Sequence, residues 1–222
     1  MMRHYLHGAV RLLLFSLLLA LAGCGGEAPP AIQEPAFERP SGPDARGLGD
    51  PNAPIVLVEY SDYQCEFCAS FVRDTKPQLE ESYIKTGKVY FVYRDYPLAI
   101  HPGAKLAAWA ANCAADQGSF WPMHDRLYNG AMGGEWSQGN AADRAVFLGY
   151  AKELKLDEGK FETCLDATSA NERRIQTDVD AGDKHFIDVT PTFLLNGNIV
   201  RGSHSFRVWQ SLIDDRLQKL GK

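Results

Sequence analysis

Two cysteines separated by two residues, Cys65 and Cys68, are the residues of this sequence best suited to chemistry. They follow an apolar run at residues 55–58 that predicts a buried strand, and they open a stretch with helical periodicity over residues 66–85. At a helix N-terminus, unpaired N–H groups and the helix dipole stabilise a thiolate. We therefore predict thiol–disulfide exchange, with Cys65 as the exposed nucleophile and Cys68 as the thiol that resolves a mixed disulfide.

Glu59 is a further candidate, because it lies on the strand that leads into Cys65. A carboxyl group in an apolar strand costs free energy unless it has a use. Buried beneath the sulfur atoms, it would have a raised pKa and could accept or return the proton of Cys68. The alternative interpretation is that Glu59 marks the frayed end of the strand and points into solvent.

The composition of the 222 residues is that of a globular domain, with 45% hydrophobic and 23% charged residues. It excludes a collagen-like, a wholly disordered or a multi-spanning membrane protein. The formal net charge of −5 comes without a basic cluster, so we expect no nucleic-acid partner. We expect no cofactor either.

The N-terminus predicts export and a lipid anchor. Residues 1–23 carry arginines, no acidic residue and an apolar run too short to span a bilayer, which is typical of a signal peptide. The tetrapeptide L-A-G-C ending at Cys24 resembles the bacterial lipobox, which implies that Cys24 is lipidated; a secreted protein with a chance cysteine is the alternative. Residues 24–49 are rich in proline and glycine and predict a flexible tether. Export places the other cysteines where disulfides persist.

The folded domain is predicted over residues 50–222. Residues 89–93 predict a second strand, residues 101–186 have helical periodicity throughout, and residues 192–195 begin a hairpin that turns at Asn196-Gly197, before a last helix. The strand–helix–strand unit implies a parallel pair of strands and the hairpin adds an antiparallel pair. We therefore predict an α/β fold, a small mixed sheet flanked by helices, with a helical insertion at about residues 101–186.

Together these features resemble the DsbA-like branch of the thioredoxin superfamily, the exported bacterial thiol oxidoreductases. The resemblance runs from about Asp50 to Leu220 and rests on V-L-V-E-Y-S-D-Y-Q-C-E-F-C, Y-R-D-Y-P-L, F-W-P-M-H-D and V-T-P-T-F-L-L-N-G. It implies a thioredoxin fold with an inserted helical domain, in which Thr190 and Pro191 form a cis-proline loop that faces the cysteines and pairs with extended client backbone. It also implies that Glu59 occupies the family's buried acid position.

The residues between the cysteines, Glu66 and Phe67, depart from this family, whose best-known oxidase has proline and histidine there. A negative charge beside Cys65 opposes its thiolate and raises its pKa, whereas a histidine lowers that pKa. We therefore predict a milder oxidant than that enzyme. The helical periodicity also predicts that Phe67 shares an apolar face with Phe71 and Leu79.

Cys113 and Cys164 lie in predicted helices, each on an apolar face. In an oxidising compartment such a pair is expected to form a structural disulfide. The alternatives are two buried free thiols, or a zinc site, which the isolated positions of these two cysteines do not favour. We therefore predict no metal site, and we interpret His101 and His124 as structural.

The predicted function is an exported, lipid-anchored protein-disulfide oxidoreductase that forms disulfides in exported proteins as a monomer. Its partners would be clients with cysteines, the membrane that holds the anchor, and a redox protein that recycles Cys65 and Cys68. It would act at the periplasmic face of a membrane, or at the outer cell surface where there is no outer membrane. The alternatives are a disulfide reductase or isomerase using the same cysteines and, less favoured, a lipoprotein that binds a soft metal through them.

Overall fold

The computed structural model describes residues 37–40, 42 and 44–222, and the chain folds around a five-stranded sheet. The strands are β1 (Gly47–Leu48), β2 (Ile55–Ser61), β3 (Val89–Asp95), β4 (Thr192–Leu195) and β5 (Asn198–Arg201). They lie in the order β1-β3-β2-β4-β5, with β2 and β3 parallel and the other neighbours antiparallel. The predicted small mixed sheet is confirmed.

Helices pack around the sheet and form the insertion between β3 and β4. The first helical stretch consists of α1 (Glu66–Ser70), a π-helical turn (Phe71–Thr75), α2 (Lys76–Leu79) and a second π-helical turn (Glu80–Ile84). The insertion contains α3 (Ala104–Ala115), α4 (Phe120–Met132), α5 (Ala141–Glu153), α6 (Glu158–Asp166) and α7 (Thr168–Lys184). The last helix is α8 (Phe206–Lys219). Within the described ranges, none of these helices combines the length and apolar character needed to cross a membrane.

The N-terminal boundary of the domain differs from the prediction. The predicted signal peptide, residues 1–23, and the lipidation site Cys24 lie outside the described residues and stay predictions. The predicted tether extends to residue 49, but β1 pairs with β3 through Gly47 and Leu48. The domain therefore begins before residue 50. A strand of two residues is too short to produce a period in the sequence, which is why the pattern does not reveal it.

An ion-pair network secures this early segment. The guanidinium of Arg46 donates to Asp95 at the end of β3 at 3.2 Å and to Asp178 on α7 at 2.5 Å. Asp178 and Asp95 are both buried, and Arg94 on β3 pairs with Asp44 at 2.7 Å. Because a buried carboxylate needs a partner to remain charged, these contacts tie the segment before β1 to the sheet and to the insertion.

Strand β2 is buried along its whole length because its side chains alternate between two apolar clusters. On one face, Ile55 and Leu57 pack with residues of the first helical stretch, β3, β4 and α8, among them Phe71, Phe91, Phe193 and Trp209. On the other face, Val56, Val58 and Tyr60 pack with Tyr90, Val92, Leu194 and Ile187. The filled clusters fix the register of β2 and therefore the place at which the chain leaves the sheet toward Cys65.

Cys113 on α3 and Cys164 on α6 form a disulfide whose Cα atoms are 5.7 Å apart. Cys113 is buried in the cluster of the insertion, whereas Cys164 is partly exposed at its edge. The bond therefore joins two helices of the insertion and leaves Cys65 and Cys68 as free thiols.

We expect the double variant Cys113→Ala/Cys164→Ala to unfold more easily than the parent. The bond closes a loop with a sequence separation of 51 residues, and the chain-entropy model gives about 4 kcal/mol for such a loop. Urea unfolding should show a loss of about 2 to 4 kcal/mol in the free energy of unfolding, with Cys65 still reactive in the folded variant. An unchanged free energy of unfolding would contradict a structural role for the bond.

Candidate active site

Cys65 lies immediately before α1, and its sulfur faces the loop before β4. Its backbone is extended, with φ −73° and ψ 119°, and α1 begins at the next residue. Its N–H donates to the carbonyl oxygen of Asp62 at 3.1 Å. Its Sγ lies 3.3 Å from the carbonyl oxygen of Thr190, and the Thr190–Pro191 peptide bond is cis. The structure thus brings Cys65 together with Thr190 and Pro191. The predicted exposure of Cys65 is wrong: the residue is only 6% exposed, because Thr190 lies against its sulfur.

The prediction that Phe67 shares an apolar face with Phe71 and Leu79 is wrong. Its side chain is 59% exposed, whereas Phe71 is fully buried. Because Cys68, Ala69 and Phe71 form the buried side of this stretch, the position before Cys68 faces solvent. Glu66 is exposed as well, so the two residues between the cysteines form part of the surface beside Cys65.

The pKa values of the Cys65 and Cys68 thiols are shifted in opposite directions. A hydrogen bond with the Cys68 side chain is the largest cause that lowers the pKa of Cys65. Together with the effect of the Thr190 side chain and hydrogen bonds from the N–H groups of Phe67 and Cys68, it outweighs burial and brings this pKa to about 6. Burial is the largest cause that raises the pKa of Cys68 well above its ordinary range, and its hydrogen bond to Cys65 adds to the rise. At neutral pH, Cys65 is therefore a thiolate and Cys68 a thiol.

Glu59 lies in β2 with no exposed surface, so its side chain does not point into solvent. Burial is the largest cause that raises its pKa to about 8. The charge of Cys65 adds to this rise, whereas the hydroxyl of Ser61 and the ammonium group of Lys76 oppose it. A carboxyl group with this pKa can take up or release a proton near neutral pH.

Ser61 and Tyr128 extend the site from Glu59 to the insertion, and neither was predicted from the sequence. Ser61 Oγ donates to Glu59 Oε1 at 2.8 Å and lies 2.9 Å from the hydroxyl oxygen of Tyr128 on α4. Ser61 and Glu59 are two residues apart in a strand and share a face, so strand alternation could have revealed Ser61. Nothing in the sequence relates Tyr128 to this strand.

Lys76 was also missed, because a lysine in a helix is ordinarily a surface residue. Here its side chain is only 7% exposed. Its ammonium nitrogen lies 4.7 Å from the centre of the Trp121 ring and 3.7 Å from Asp125. The buried positive charge is close enough to lower the pKa of Glu59, which limits the rise that burial causes.

Asp62 fixes the loop that leads into Cys65. Its buried carboxylate accepts hydrogen bonds from the N–H groups of Gln64 and Leu98, both at 2.7 Å, and lies 2.8 Å from Nδ1 of His101. His101 therefore has a structural role, because it contacts the carboxylate that shapes this loop.

His124 is buried with Nδ1 2.8 Å from Asp125, and burial lowers its pKa to about 4. Among the described residues, no group of three or more histidine, cysteine or acidic side chains is arranged to hold a metal ion.

Comparison with known proteins agrees with this arrangement of sheet and insertion. Residues 42–215 match the family model described as thioredoxin. The chain belongs to the thioredoxin family. The solved structure of α-DsbA1 from Wolbachia pipientis is similar with a TM-score of 0.69 and 25% identity, covering 78% of this chain and 91% of that one. The predicted DsbA-like thioredoxin fold with a helical insertion is confirmed.

Relatives of known sequence point to the same chemistry. A probable disulfide bond formation protein D from Bacillus anthracis is 28% identical over 78% of this chain and 79% of its own length. This relative is named for disulfide formation, and the match extends over most of its length.

The chain is also similar to a part of much longer proteins. A Na(+)/H(+) antiporter NhaA 1 from Salinispora arenicola is 36% identical over 78% of this chain, but the match covers only 25% of that protein. The chain spans about a quarter of the length of the antiporters that it matches. Most of the length of these antiporters therefore lies outside the match.

We expect Glu59→Gln to stabilise the reduced protein, and to do so more strongly as pH rises. The folded pKa of about 8 lies above the ordinary value of 4.5, so between these values the native state keeps a proton that the unfolded state has lost. The contribution of Glu59 to stability therefore falls with rising pH, by about 1.4 kcal/mol per pH unit, and glutamine removes this contribution.

Urea unfolding at several pH values tests this expectation. The two proteins should be about equally stable near the ordinary pKa of 4.5, and near pH 8 the variant should be more stable by about 2 to 4 kcal/mol. A stability difference that does not change with pH would contradict a raised pKa for Glu59.

Proposed function

We propose that this protein is an exported, lipid-anchored thiol–disulfide oxidoreductase that forms disulfides in exported proteins through Cys65 and Cys68. The observation that carries the proposal is that the pKa values of the two thiols shift in opposite directions: that of Cys65 is lowered to about 6 and that of Cys68 is raised. One sulfur atom is therefore a ready nucleophile and leaving group, and the other stays protonated until it has to react.

The reaction moves two electrons from a client to the enzyme. A client thiolate attacks Cys65 Sγ of the oxidised enzyme, the Cys65–Cys68 bond breaks, and Cys68 leaves as a thiolate that takes up a proton. A second client thiolate attacks the client sulfur of the mixed disulfide, which forms the client disulfide and releases Cys65 as a thiolate. The low pKa of Cys65 makes it a good leaving group, so transfer of the disulfide to the client is favoured.

Glu59 supplies and receives the proton of Cys68. During recycling, Cys68 must lose its proton before it can attack a mixed disulfide at Cys65. In that intermediate Cys65 is bonded and uncharged, so its contribution to the raised pKa of Glu59 is absent. Glu59 then ionises more readily at the stage at which it has to accept a proton.

The surface around Cys65 suits an extended client chain. Phe67 and Val189 are 59% and 44% exposed, and they stand on the two segments that meet at the Cys65 sulfur. Apolar side chains of a client can cover these residues while its backbone lies along the loop of Thr190 and Pro191.

Export and anchoring complete the proposal. The signal sequence of residues 1–23 would direct export. Lipidation at Cys24 and the tether that follows would then hold the domain at the periplasmic face of a membrane, or at the outer surface of a cell without an outer membrane. Its partners are exported clients with cysteines and a redox protein that returns Cys65 and Cys68 to the disulfide. The domain acts as a monomer.

The redox potential of the Cys65–Cys68 couple tests this proposal. Equilibration with glutathione should give a value below that of DsbA, about −120 mV, and above about −180 mV. Glu66 opposes the thiolate, so Glu66→His should raise the potential by about 30 mV by stabilising the reduced form, and the matched variant Glu66→Gln should raise it by less. A value near −270 mV, the potential of thioredoxin, would indicate a reductase instead.

A further inference from the structure

Ser61 stands between the two groups that exchange a proton in the proposed function. It is buried at the end of β2, where its hydroxyl donates to Glu59 Oε1 at 2.8 Å and lies 2.9 Å from the hydroxyl oxygen of Tyr128, which packs in the same buried cluster as Cys68. The Ser61 side chain also acts to lower the pKa of Cys68, which is consistent with a position beside that thiol. The second carboxyl oxygen, Oε2, is buried and has no hydrogen-bond partner among the described residues. The hydrogen-bonded connection from this carboxyl group therefore runs through Ser61.

Tyr128 determines how the hydroxyl of Ser61 can be used. A serine hydroxyl donates one hydrogen bond and accepts two. The hydroxyl oxygen of Tyr128 lies 2.9 Å from Ser61 Oγ and, at the longer distance of 3.3 Å, from the carbonyl oxygen of Asp62. When Tyr128 donates to the nearer Ser61, one donor position is left for Glu59, and the remaining acceptor position can take the Cys68 proton once Cys65 is bonded to a client. The Tyr128 ring is itself fixed, with its centre 4.9 Å from that of Tyr63 and 5.0 Å from that of His124.

We propose that Ser61 is a catalytic residue that carries the proton between Cys68 and Glu59, and that Tyr128 is a positioning residue that holds the Ser61 hydroxyl in place. The inference rests on the proposed function. It adds a proton path that connects the resolving cysteine with the helical insertion, because Tyr128 lies on α4.

The step balances as follows in a mixed disulfide between Cys65 and a client. The Cys68 thiol gives its proton to Ser61 Oγ while the Ser61 hydroxyl proton passes to Glu59 Oε1. The Cys68 thiolate attacks Cys65 Sγ, the Cys65–Cys68 bond forms, and the bond from Cys65 to the client sulfur breaks. The client leaves as a thiolate, reduced by the two electrons that the cysteine pair loses. In the opposite direction, Glu59 returns the proton by the same path.

A reaction with dithiobis(nitrobenzoate), which releases a coloured thiolate at each exchange, distinguishes the reaction of Cys65 from that of Cys68. The full chain carries Cys24→Ser, its active-site pair is reduced under mild conditions, and the reagent is equimolar. In the first phase Cys65 attacks the reagent and releases one coloured thiolate. In the second phase Cys68 attacks the mixed disulfide at Cys65 and releases another. The first phase reports the proposed function and the second reports the proton path.

We expect Ser61→Ala to leave the first phase unchanged and to slow the second by about a hundredfold near neutral pH, the lower end of the range expected on losing general-base assistance. The defect should shrink at high pH, where hydroxide removes the proton directly. Ser61→Thr keeps a hydroxyl and should restore the second phase, whereas Tyr128→Phe should slow it. The matched control Tyr83→Phe loses a hydroxyl that donates to Asp214 at 2.7 Å on α8, and it should react like the parent in both phases.

Glu59→Gln provides the decisive comparison, since members of one path are not additive. It should slow the second phase in the parent but not in Ser61→Ala. An equal slowing in both backgrounds, or a second phase in Ser61→Ala within about twofold of the parent at neutral pH, would overturn the inference. If Ser61→Ala does not fold and loses both phases, Tyr128→Phe decides, since an unchanged second phase there overturns the inference. Loss of the first phase in the parent would overturn the proposed function itself.

Discussion

The negative charge on Cys65 is the feature on which the rest of this structure depends. It is held by the thiol of Cys68 and by the N–H groups at the start of α1, against the opposing effect of burial. Several constraints of the fold place the groups around this sulfur. The register of β2 fixes where the chain leaves the sheet, Asp62 shapes the loop before Cys65, and the strand after Pro191 carries Thr190 to the sulfur.

The same arrangement gives Cys68 the opposite property. Because it lies one turn along the helix and is fully buried, its charged form is disfavoured and it serves as the donor that Cys65 needs. A buried thiol that must later ionise requires a proton acceptor in the protein, and Glu59 is a buried carboxyl group with a raised pKa. Stabilising one thiolate thus creates the need for the buried acid, and the acid in turn is connected to the insertion through Ser61 and Tyr128.

The sequence predicts the reactive parts of this site because they lie in short local patterns. Cys65, Cys68 and Glu59 are contained in one strand-to-helix segment, and Thr190 and Pro191 stand before the next strand of the sheet. Phe67 was misplaced because a periodic pattern does not fix the phase of a helix within its first turn. Tyr128, Lys76 and the β1 pairing depend on contacts between segments far apart in the chain, and no local pattern carries that information.

An ultraviolet titration of thiolate absorbance in the reduced protein tests the unequal acidity of Cys65 and Cys68 most directly, with Cys24→Ser so that position 24 contributes no thiolate. The account predicts one thiolate that forms with a midpoint near pH 6 and a second that forms only well above pH 9. Cys65→Ser should abolish the first of these steps. Two thiols that ionise together near the ordinary pKa of about 8.5, or a low step that survives in Cys65→Ser, would contradict it.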